Sequence, residues 1–345
     1  MQRRYIKRLI IGTLVVLTCM VCFIKIMSQE DIKSDSSQSG LLETTLQGGM
    51  AGSSFDTIYT AGVSTDDTTN EMKKDMVLAI NDLDESLNFT YKNQGKDRKV
   101  VMTVYYDYKQ VPFKVNQDEE YTLQHQFDVK DGELIEGEFY LDPTIDISGC
   151  SHKLMVSFIS GYDIHQSDLE SELDNSYGLG VVYDTTNTNV DDENTKCEMK
   201  SIEAVSPARV FSNFYSEPLI INMDMQNKVQ EQQRILLPDG LLQVKPNEEV
   251  KLMYNISNQD YESALMLLTV GFEQVDINSN RYEVVQLDQE NSVVNGPLSF
   301  IAPKEPGKYE VIAYLVYDPW KTMKSTDLSN SSVALSYRFT LEVVE

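Results

Sequence analysis

Few residues in this chain have the types and spacing that catalysis requires. The three histidines are His125, His152 and His165. Cys150 and Ser151 directly precede His152, but neighbouring side chains on a strand point to opposite faces, so adjacency does not join a nucleophile to a base. The sequence contains no His-Glu-x-x-His, Gly-x-Ser-x-Gly or phosphate-binding loop pattern. We therefore predict a protein that is not an enzyme.

Acidic pairs such as Glu119-Glu120 and Asp191-Asp192 are the remaining route to a hydrolase. Glycoside hydrolysis needs two carboxyl groups held about 5–10 Å apart across a cleft. A chain with 54 aspartates and glutamates contains many such pairs without any catalytic role. The pairs alone therefore do not change the prediction.

The segment DTTNTNVDDEN, residues 184–194, is rich in oxygen atoms that bind cations. Calcium takes 6–8 oxygen ligands, and the candidate ligands here are Asp184, Asp191, Asp192 and Glu193. The spacing and central glycine of an EF-hand are missing, so a solvated acidic loop is the competing interpretation. We predict no cofactor, with calcium as the alternative at this loop.

Aromatic residues are the second group that suggests a function. The chain has 19 tyrosines and one tryptophan, and such rings occur both in interfaces and as ordinary strand formers. Two similar apolar runs, residues 153–163 and 309–318, each end in Tyr-Asp. Candidate recognition loops follow them at residues 163–176 and 318–332. The predicted binding residues are Tyr162, Asp163, His165, Tyr317, Asp318 and Trp320. We expect Trp320 to cap the interior at the end of a sandwich, with a ligand platform as the alternative.

The N-terminus predicts a membrane segment. Residues 1–8, MQRRYIKR, are basic, and residues 9–27 are apolar except for two threonines and Lys25. At about 1.5 Å per residue, a helix of this length approaches the roughly 30 Å hydrocarbon core of a bilayer. The preceding cations favour a cytoplasmic N-terminus. A cleaved signal peptide is the alternative, although Ser28 is the only small residue near a cleavage site. We predict a single-pass protein of the cell membrane whose C-terminal part is extracytoplasmic.

Charge and cysteine content limit the partners. The net charge is −25, while the first 27 residues carry no acid, so the rest of the chain repels nucleic acid and anionic lipid. Outside the membrane segment only Cys150 and Cys197 remain. A disulfide between them is allowed in an oxidising compartment, and two free thiols are equally compatible with the sequence.

The predicted order of segments is a cytoplasmic stub (1–8), a transmembrane helix (9–27), a flexible stalk (28–67) and two β-sandwich domains (68–230 and 231–345). Thr68 and Glu71 form a capping-box pattern, which predicts a short helix at the start of the first domain. The run MVLAI, residues 76–80, is alternatively an edge strand. An acidic insertion completes the first domain.

Short runs of strand-forming residues recur from residue 98 and again from residue 235, separated by turn signals, which is typical of β-sandwiches. The segments 115–127 and 244–256 align without a gap, which suggests a duplication. The run YEVIAYLVYD, residues 309–318, is apolar on both alternating faces and predicts a central strand covered on both sides.

The stretch APKEPGKYEVIAYLVYD, residues 302–318, resembles the turn before strand F of immunoglobulin-like and fibronectin-type-III-like domains. Pro306, Gly307 and Tyr309 occupy the turn, glycine and tyrosine positions, whereas Val311 stands where antibody domains have a core cysteine. The resemblance covers residues 235–345 closely and residues 98–184 loosely. It implies two tandem immunoglobulin-like sandwiches without the inter-sheet disulfide, and it names no function.

These observations together predict a bacterial, membrane-tethered surface protein with a non-catalytic binding or scaffolding role. The predicted partners are the membrane, through residues 9–27, and a surface or membrane protein recognised through sandwich loops. The alternative is a carbohydrate-binding or cell-wall-associated module that uses aromatic side chains. Nucleic acid is not a predicted partner.

Overall fold

Strands form nearly all of the regular structure, and one 3-10 turn at Gln166–Asp168 is the only helical element among the described residues. The computed structural model describes residues 50–53, 57–65, 76–117, 119–148, 152–168, 178–187, 209–211, 219–223, 241–258, 261–287, 292–323 and 333–345. All of these residues belong to one unit that spans residues 46–345. The prediction of a mainly β protein is confirmed.

The described strands are as follows in chain order. The first eleven are β1 (Met50–Ser53), β2 (Thr57–Ser64), β3 (Val77–Ala79), β4 (Leu87–Gly95), β5 (Arg98–Tyr106), β6 (Lys109–Gln110), β7 (Phe113–Val115), β8 (His125–Val129), β9 (Leu134–Leu141), β10 (His152–Ser160) and β11 (Gly178–Thr186). The others are β12 (Arg209–Phe211), β13 (Leu219–Met223), β14 (Leu241–Val244), β15 (Glu249–Asn258), β16 (Ser263–Val270), β17 (Glu273–Val275), β18 (Glu283–Gln286), β19 (Ser292–Ile301), β20 (Gly307–Tyr317), β21 (Ala334–Leu335) and β22 (Phe339–Val343).

These strands form four sheets. Sheet A has the order β1-β2-β4-β9-β7, and sheet B has the order β3-β11-β10-β5-β6 with β8 also paired to β5. Sheet C has the order β12-β19-β15-β13, and sheet D has the order β14-β22-β20-β16-β17 with β18 and β21 paired to β16 and β20.

Burial along the strands gives the order of the layers. In β4 the side chains alternate between buried and partly exposed, as expected for a sheet with one solvated face. In β10, β16 and β20 nearly every residue is buried, so sheets B and D are covered on both faces. Sheet A packs on one face of sheet B, sheet C packs on one face of sheet D, and sheets B and D pack on each other. The layers therefore follow the order A, B, D, C.

Aliphatic and aromatic side chains, with glycine at one close approach, make the contact between sheets B and D. The rings of Tyr105 and Tyr314 lie 5.8 Å apart between centroids, and both side chains are fully buried. Val333, just before β21, packs against Gly180 of β11, where a Cβ atom would lie 2.7 Å from the Cβ of Val333. This close approach requires glycine. The prediction that residues 309–318 form a central strand covered on both faces is confirmed.

The two sheet pairs have matching topologies. In sheet B the first strand pairs in parallel with the last, β3 with β11, and in sheet D β14 pairs in parallel with β22. The middle strands are β10 and β20, so the two Tyr-Asp pairs lie at the C-terminal ends of equivalent strands. The aligned segments 115–127 and 244–256 are not equivalent, because the first runs from β7 to β8 and the second from β14 to β15. That alignment is wrong.

Three further expectations need correction. No helix forms at residues 76–87; Val77–Ala79 are the edge strand β3, the alternative that the sequence had left open. The stalk prediction fails for residues 50–53 and 57–64, which form β1 and β2; β1 pairs with β2, and β2 pairs with β4. Strands β12 and β13 lie in the predicted first domain but pair with β19 and β15 of the predicted second domain.

The predicted membrane segment, residues 9–27, lies outside the described residues. Among the residues that are described, no helix is long and apolar enough to cross a membrane.

Candidate functional site

A buried ion pair lies at one end of the contact between sheets B and D. Lys153 of β10 and Asp184 of β11 are directly opposite in the strand register, and their charged atoms are in contact. The Lys153 ammonium also donates to the carbonyl of Lys321 at 2.6 Å, and the backbone N–H of Met323 donates to Asp184 at 2.7 Å. Burial lowers the pKa of Lys153, and the Asp184 carboxylate opposes this shift. The pair therefore holds residues 321–323 of the other sheet pair.

A second buried ion pair lies in sheet D. Arg338 Nε and Glu310 Oε2 are 2.8 Å apart, and both side chains are almost fully buried. The Arg338 guanidinium donates to the carbonyls of Gly161 at 3.1 Å and Ile164 at 2.6 Å. Burial lowers the pKa of Arg338, and Glu310 opposes the shift. This pair holds the segment that follows β10.

The two ion pairs act reciprocally. The pair in sheet B binds the backbone after β20, and the pair in sheet D binds the backbone after β10. A buried charge is stable only when it is paired and hydrogen-bonded. Each turn supplies backbone groups that hydrogen-bond to the ion pair of the other sheet pair. We call Lys153, Asp184, Glu310 and Arg338, with the backbone they hold, the reciprocal lock.

Two glutamine side chains form a third link between the sheet pairs. The backbone N–H of Gln110 in β6 donates to the Gln274 side-chain oxygen at 2.7 Å, and the backbone N–H of Gln274 in β17 donates to the Gln110 side-chain oxygen at 2.5 Å. The side-chain nitrogen of Gln110 donates to the carbonyl of Phe272, and that of Gln274 donates to the carbonyl of Tyr108. The edges of sheets B and D are joined in this way.

The predicted binding residues at the end of β20 are engaged within the protein. Tyr317 stacks on Tyr261 with ring centroids 4.2 Å apart, and its hydroxyl donates to the carbonyl of Ser257. Asp318 has a positive φ of 42° and is buried, and its carboxylate accepts the N–H groups of Glu262 and Ser263, each at 3.0 Å. Asp318 therefore closes the turn that leads into the lock.

Trp320 packs edge-on against Tyr108 of the other sheet pair, with ring centroids 5.3 Å apart. The Tyr108 hydroxyl donates to the carbonyl of Pro319 at 2.6 Å. Trp320 is partly buried against the core that sheet B forms. Its ring therefore covers the junction of the two sheet pairs.

The predicted residues after β10 also have intramolecular partners. Tyr162 packs edge-on against Phe272 at 6.3 Å, Asp163 lies 3.4 Å from Lys99, and His165 lies 3.2 Å from Glu310. The structure thus places the predicted binding residues at the two ends of the interface between sheets B and D.

The other candidate ligands and nucleophiles divide into two groups. Asp184 serves the reciprocal lock, and His152 contacts Asp107 at 2.9 Å and the carbonyl of Ser148 at 3.1 Å. The remaining residues lie outside the described part of the chain: Asp191, Asp192, Glu193, Cys150 and Cys197. Within the described ranges, no group of three or more histidine, cysteine or acidic side chains is placed to hold a metal ion.

The sequence did not predict the pocket that lies beside the connection between β3 and β4. Its volume is about 270 Å³, and it lies where the chain crosses from β3 to β4. The lining residues are Thr65, Ala79, Ile80, Asp82, Leu83, Glu85, Ser86, Leu87 and Leu141. The sequence signal for this pocket is the run DLDESL, residues 82–87, which combines acidic residues with leucines. Because a helix was expected there, the run did not lead to the prediction of a pocket.

No protein-family profile and no curated protein matches the chain. Among solved structures, the Escherichia coli chaperone DraB is 12% identical, with a TM-score of 0.26 over 78% of this chain and 95% of DraB. The fibronectin(III)-like modules of Clostridium thermocellum CbhA are 8% identical, with a TM-score of 0.21 over 81% of this chain and 93% of theirs. The C-terminal domain of Streptococcus pyogenes AspA is 9% identical, with a TM-score of 0.21 over 83% and 99%. Likenesses with TM-scores this low define neither a family nor a function for the chain.

Proposed function

We propose that this protein is a non-catalytic extracytoplasmic binding or scaffolding protein. In this proposal residues 9–27 tether it to the cell membrane, and two tandem immunoglobulin-like sandwiches form one rigid body that a protein partner recognises. The observation that carries the proposal is the reciprocal lock. It uses four buried charged side chains to fix one sheet pair on the other.

Rigidity is the property that a scaffold requires. Contacts between domains of one chain are ordinarily small and polar, and relative motion is the default. Here sheets B and D are covered on both faces, and the segments after β10 and β20 are bound by buried charges. The binding surface of such a body keeps its shape, which reduces the entropy lost on association.

Photo-crosslinking in intact cells tests the proposal. A photoreactive amino acid is placed at Lys92 on sheet A, at Lys251 on sheet C and at the exposed Asp84 beside the pocket, one position in each of three otherwise unchanged full-length proteins. We expect one membrane or surface protein to be captured stoichiometrically from one face, with excess unlabelled protein abolishing the capture. Recovery of cell-wall polymer alone, or of no partner from any of the three positions, would overturn the proposal.

The carbohydrate-binding alternative requires exposed rings, and two tyrosines meet that requirement. Tyr121 and Tyr337 are 38% and 36% exposed. Titration with wall glycan, followed by Trp320 and tyrosine fluorescence, separates the two functions. A saturable change with glycan favours the alternative, and an unchanged spectrum favours the scaffold.

A further inference from the structure

The pocket between β3 and β4 has an apolar floor. Ala79, Ile80, Leu87 and Leu141 line it, and each side chain is no more than 5% exposed. Leu83 adds a partly buried wall. Pockets for drug-sized ligands measure about 300–1,000 Å³. At about 270 Å³ this pocket fits one side chain or a small molecule better than a larger ligand.

The mouth of the pocket is acidic. Asp82 and Glu85 line it and are exposed, whereas none of the nine described lining residues is basic or aromatic. The turn that carries the two acids is held in place, because the Asp84 N–H donates to the Asp82 carboxylate at 3.0 Å and the Glu85 N–H donates to the Asp82 carbonyl at 3.3 Å. These bonds order the backbone of the turn and the Asp82 carboxylate beside the apolar floor, and they place Glu85 on the same turn.

This combination selects a group that is apolar along its length and positive at one end. Lysine and arginine side chains lay their methylene stems on apolar surface while the charged head stays in water. An acidic side chain would be repelled, and a neutral apolar side chain would forgo the carboxylates. A sugar would find no aromatic ring to stack on among the described lining residues. The net charge of −25 also attracts basic partners over long range.

We propose that this pocket binds a lysine or arginine side chain of a protein partner. The stem lies on Ile80, Leu83 and Leu87, and the cation lies between Asp82 and Glu85. This inference rests on the proposed scaffolding function, since it identifies the kind of protein surface that the rigid body recognises.

Methyl NMR of the full-length protein in detergent micelles, labelled at isoleucine and leucine methyl groups, tests the site. The probe is N-acetyl-lysine N′-methylamide, and the comparison compounds are the norleucine and glutamate analogues. We expect the lysine probe to shift the methyl signals of Ile80, Leu83, Leu87 and Leu141 with a Kd near 1 mM, about −4 kcal/mol. The methyls of Leu252 and Leu298 in the other core should not move. Binding of norleucine should be at least about fivefold weaker and that of glutamate undetectable.

The double variant Asp82→Asn/Glu85→Gln provides the matched test. Both side chains are exposed, so its unfolding midpoint should equal that of the wild type. Its Kd for the lysine probe should rise at least about fivefold. The control Asp128→Asn/Glu136→Gln removes two exposed acids from β8 and β9 and should leave the Kd unchanged.

The outcomes separate this inference from the proposed function. If the pocket methyls do not respond to the lysine probe, or respond equally to norleucine, the inference is wrong even when photo-crosslinking captures a partner. If the pocket binds the probe but photo-crosslinking captures no partner, the scaffolding function is wrong and the site remains.

Discussion

The ammonium of Lys153 donates a hydrogen bond of 2.6 Å to the main-chain carbonyl of Lys321, 168 residues further along the chain. On the other side of the same interface, the guanidinium of Arg338 donates to the carbonyl of Ile164 at 2.6 Å. Each sheet pair thus uses a buried cation to bind the turn that follows the middle strand of its neighbour. The four sheets depend on one another through these contacts.

Removing the cation of the first ion pair should destabilise the protein strongly. Lys153→Met leaves Asp184 buried without its partner, which typically costs about 3–5 kcal/mol. Urea denaturation followed by far-UV circular dichroism measures the loss. Lys251→Met, which breaks the exposed pair with Glu249, is the control and should cost less than about 1 kcal/mol.

The double variant Lys153→Met/Asp184→Leu sharpens this test. Replacing both charges by apolar side chains removes the unpaired carboxylate, so the double variant should be more stable than Lys153→Met alone. If Lys153→Met costs no more than the Lys251→Met control, the buried ion pair does not hold the two sheet pairs together.

Gly180 should tolerate no side chain while Val333 is present. A Cβ atom there would lie 2.7 Å from the Cβ of Val333, so Gly180→Ala must separate β11 from the segment before β21. Overpacking of this kind costs about 1–3 kcal/mol. Thermal unfolding measures the change, and Gly180→Ala should cost less stability in a Val333→Gly background than in the wild type, because Val333→Gly removes the Cβ atom that clashes. Equal stability of Gly180→Ala and the wild type would mean that sheets B and D do not approach closely at this point.

Stability should fall steeply above pH 10. Burial raises the pKa of seven tyrosines above the usual value of 10: Tyr91, Tyr105, Tyr106, Tyr108, Tyr183, Tyr314 and Tyr317. The pKa of each of these tyrosines is higher in the folded state than in the unfolded state. Their contribution to the unfolding free energy is therefore complete below pH 10 and is lost as the pH rises from 10 towards the folded-state pKa. Each tyrosine then removes about 1.4 kcal/mol of unfolding free energy per pH unit.

Absorbance at 295 nm checks the alkaline prediction. Ionisation of these tyrosines should coincide with unfolding measured by circular dichroism, whereas exposed tyrosines should ionise earlier. A smooth titration of all 19 tyrosines near pH 10 in the folded protein would contradict the burial of these rings.

Trp320 should report on the junction of the sheet pairs, because it is the only tryptophan and its ring packs on Tyr108. Tyr108→Leu removes that ring and the hydrogen bond to Pro319, so the fluorescence maximum should move to longer wavelength as water reaches the indole. Tyr121→Leu, which removes an exposed ring elsewhere, is the control. An unchanged maximum in Tyr108→Leu would place Trp320 away from the junction.

Local patterns in the sequence predicted the strands well. Residues 309–318 carry apolar side chains on both alternating faces, and β20 is covered on both faces. The capping-box pattern at residues 68–71 misled the prediction for residues 76–87, because pairing of Val77–Ala79 with β11 outweighs local helix propensity. Pairing partners far apart in the chain also explain why β2 was assigned to a stalk.

The sequence placed the two Tyr-Asp turns correctly after equivalent strands but did not reveal the contacts they make. Asp318 looks like a loop residue until the N–H groups of Glu262 and Ser263 are brought to it by β16. Similarly, Lys153 and Asp184 are 31 residues apart and meet only because β10 and β11 pair in one register. Composition alone therefore did not reveal these internal contacts, while residues 169–176 and 324–332 of the predicted recognition loops lie outside the described residues.

Differential scanning calorimetry of the full-length protein tests the central claim most directly. If the reciprocal lock makes the four sheets one body, the wild type should unfold in a single transition whose calorimetric and van't Hoff enthalpies agree. The variant Asp184→Asn/Glu310→Gln, which weakens both ion pairs, should unfold in two resolved transitions. Two separate transitions in the wild type would contradict the account, because the sheet pairs would then unfold independently of each other.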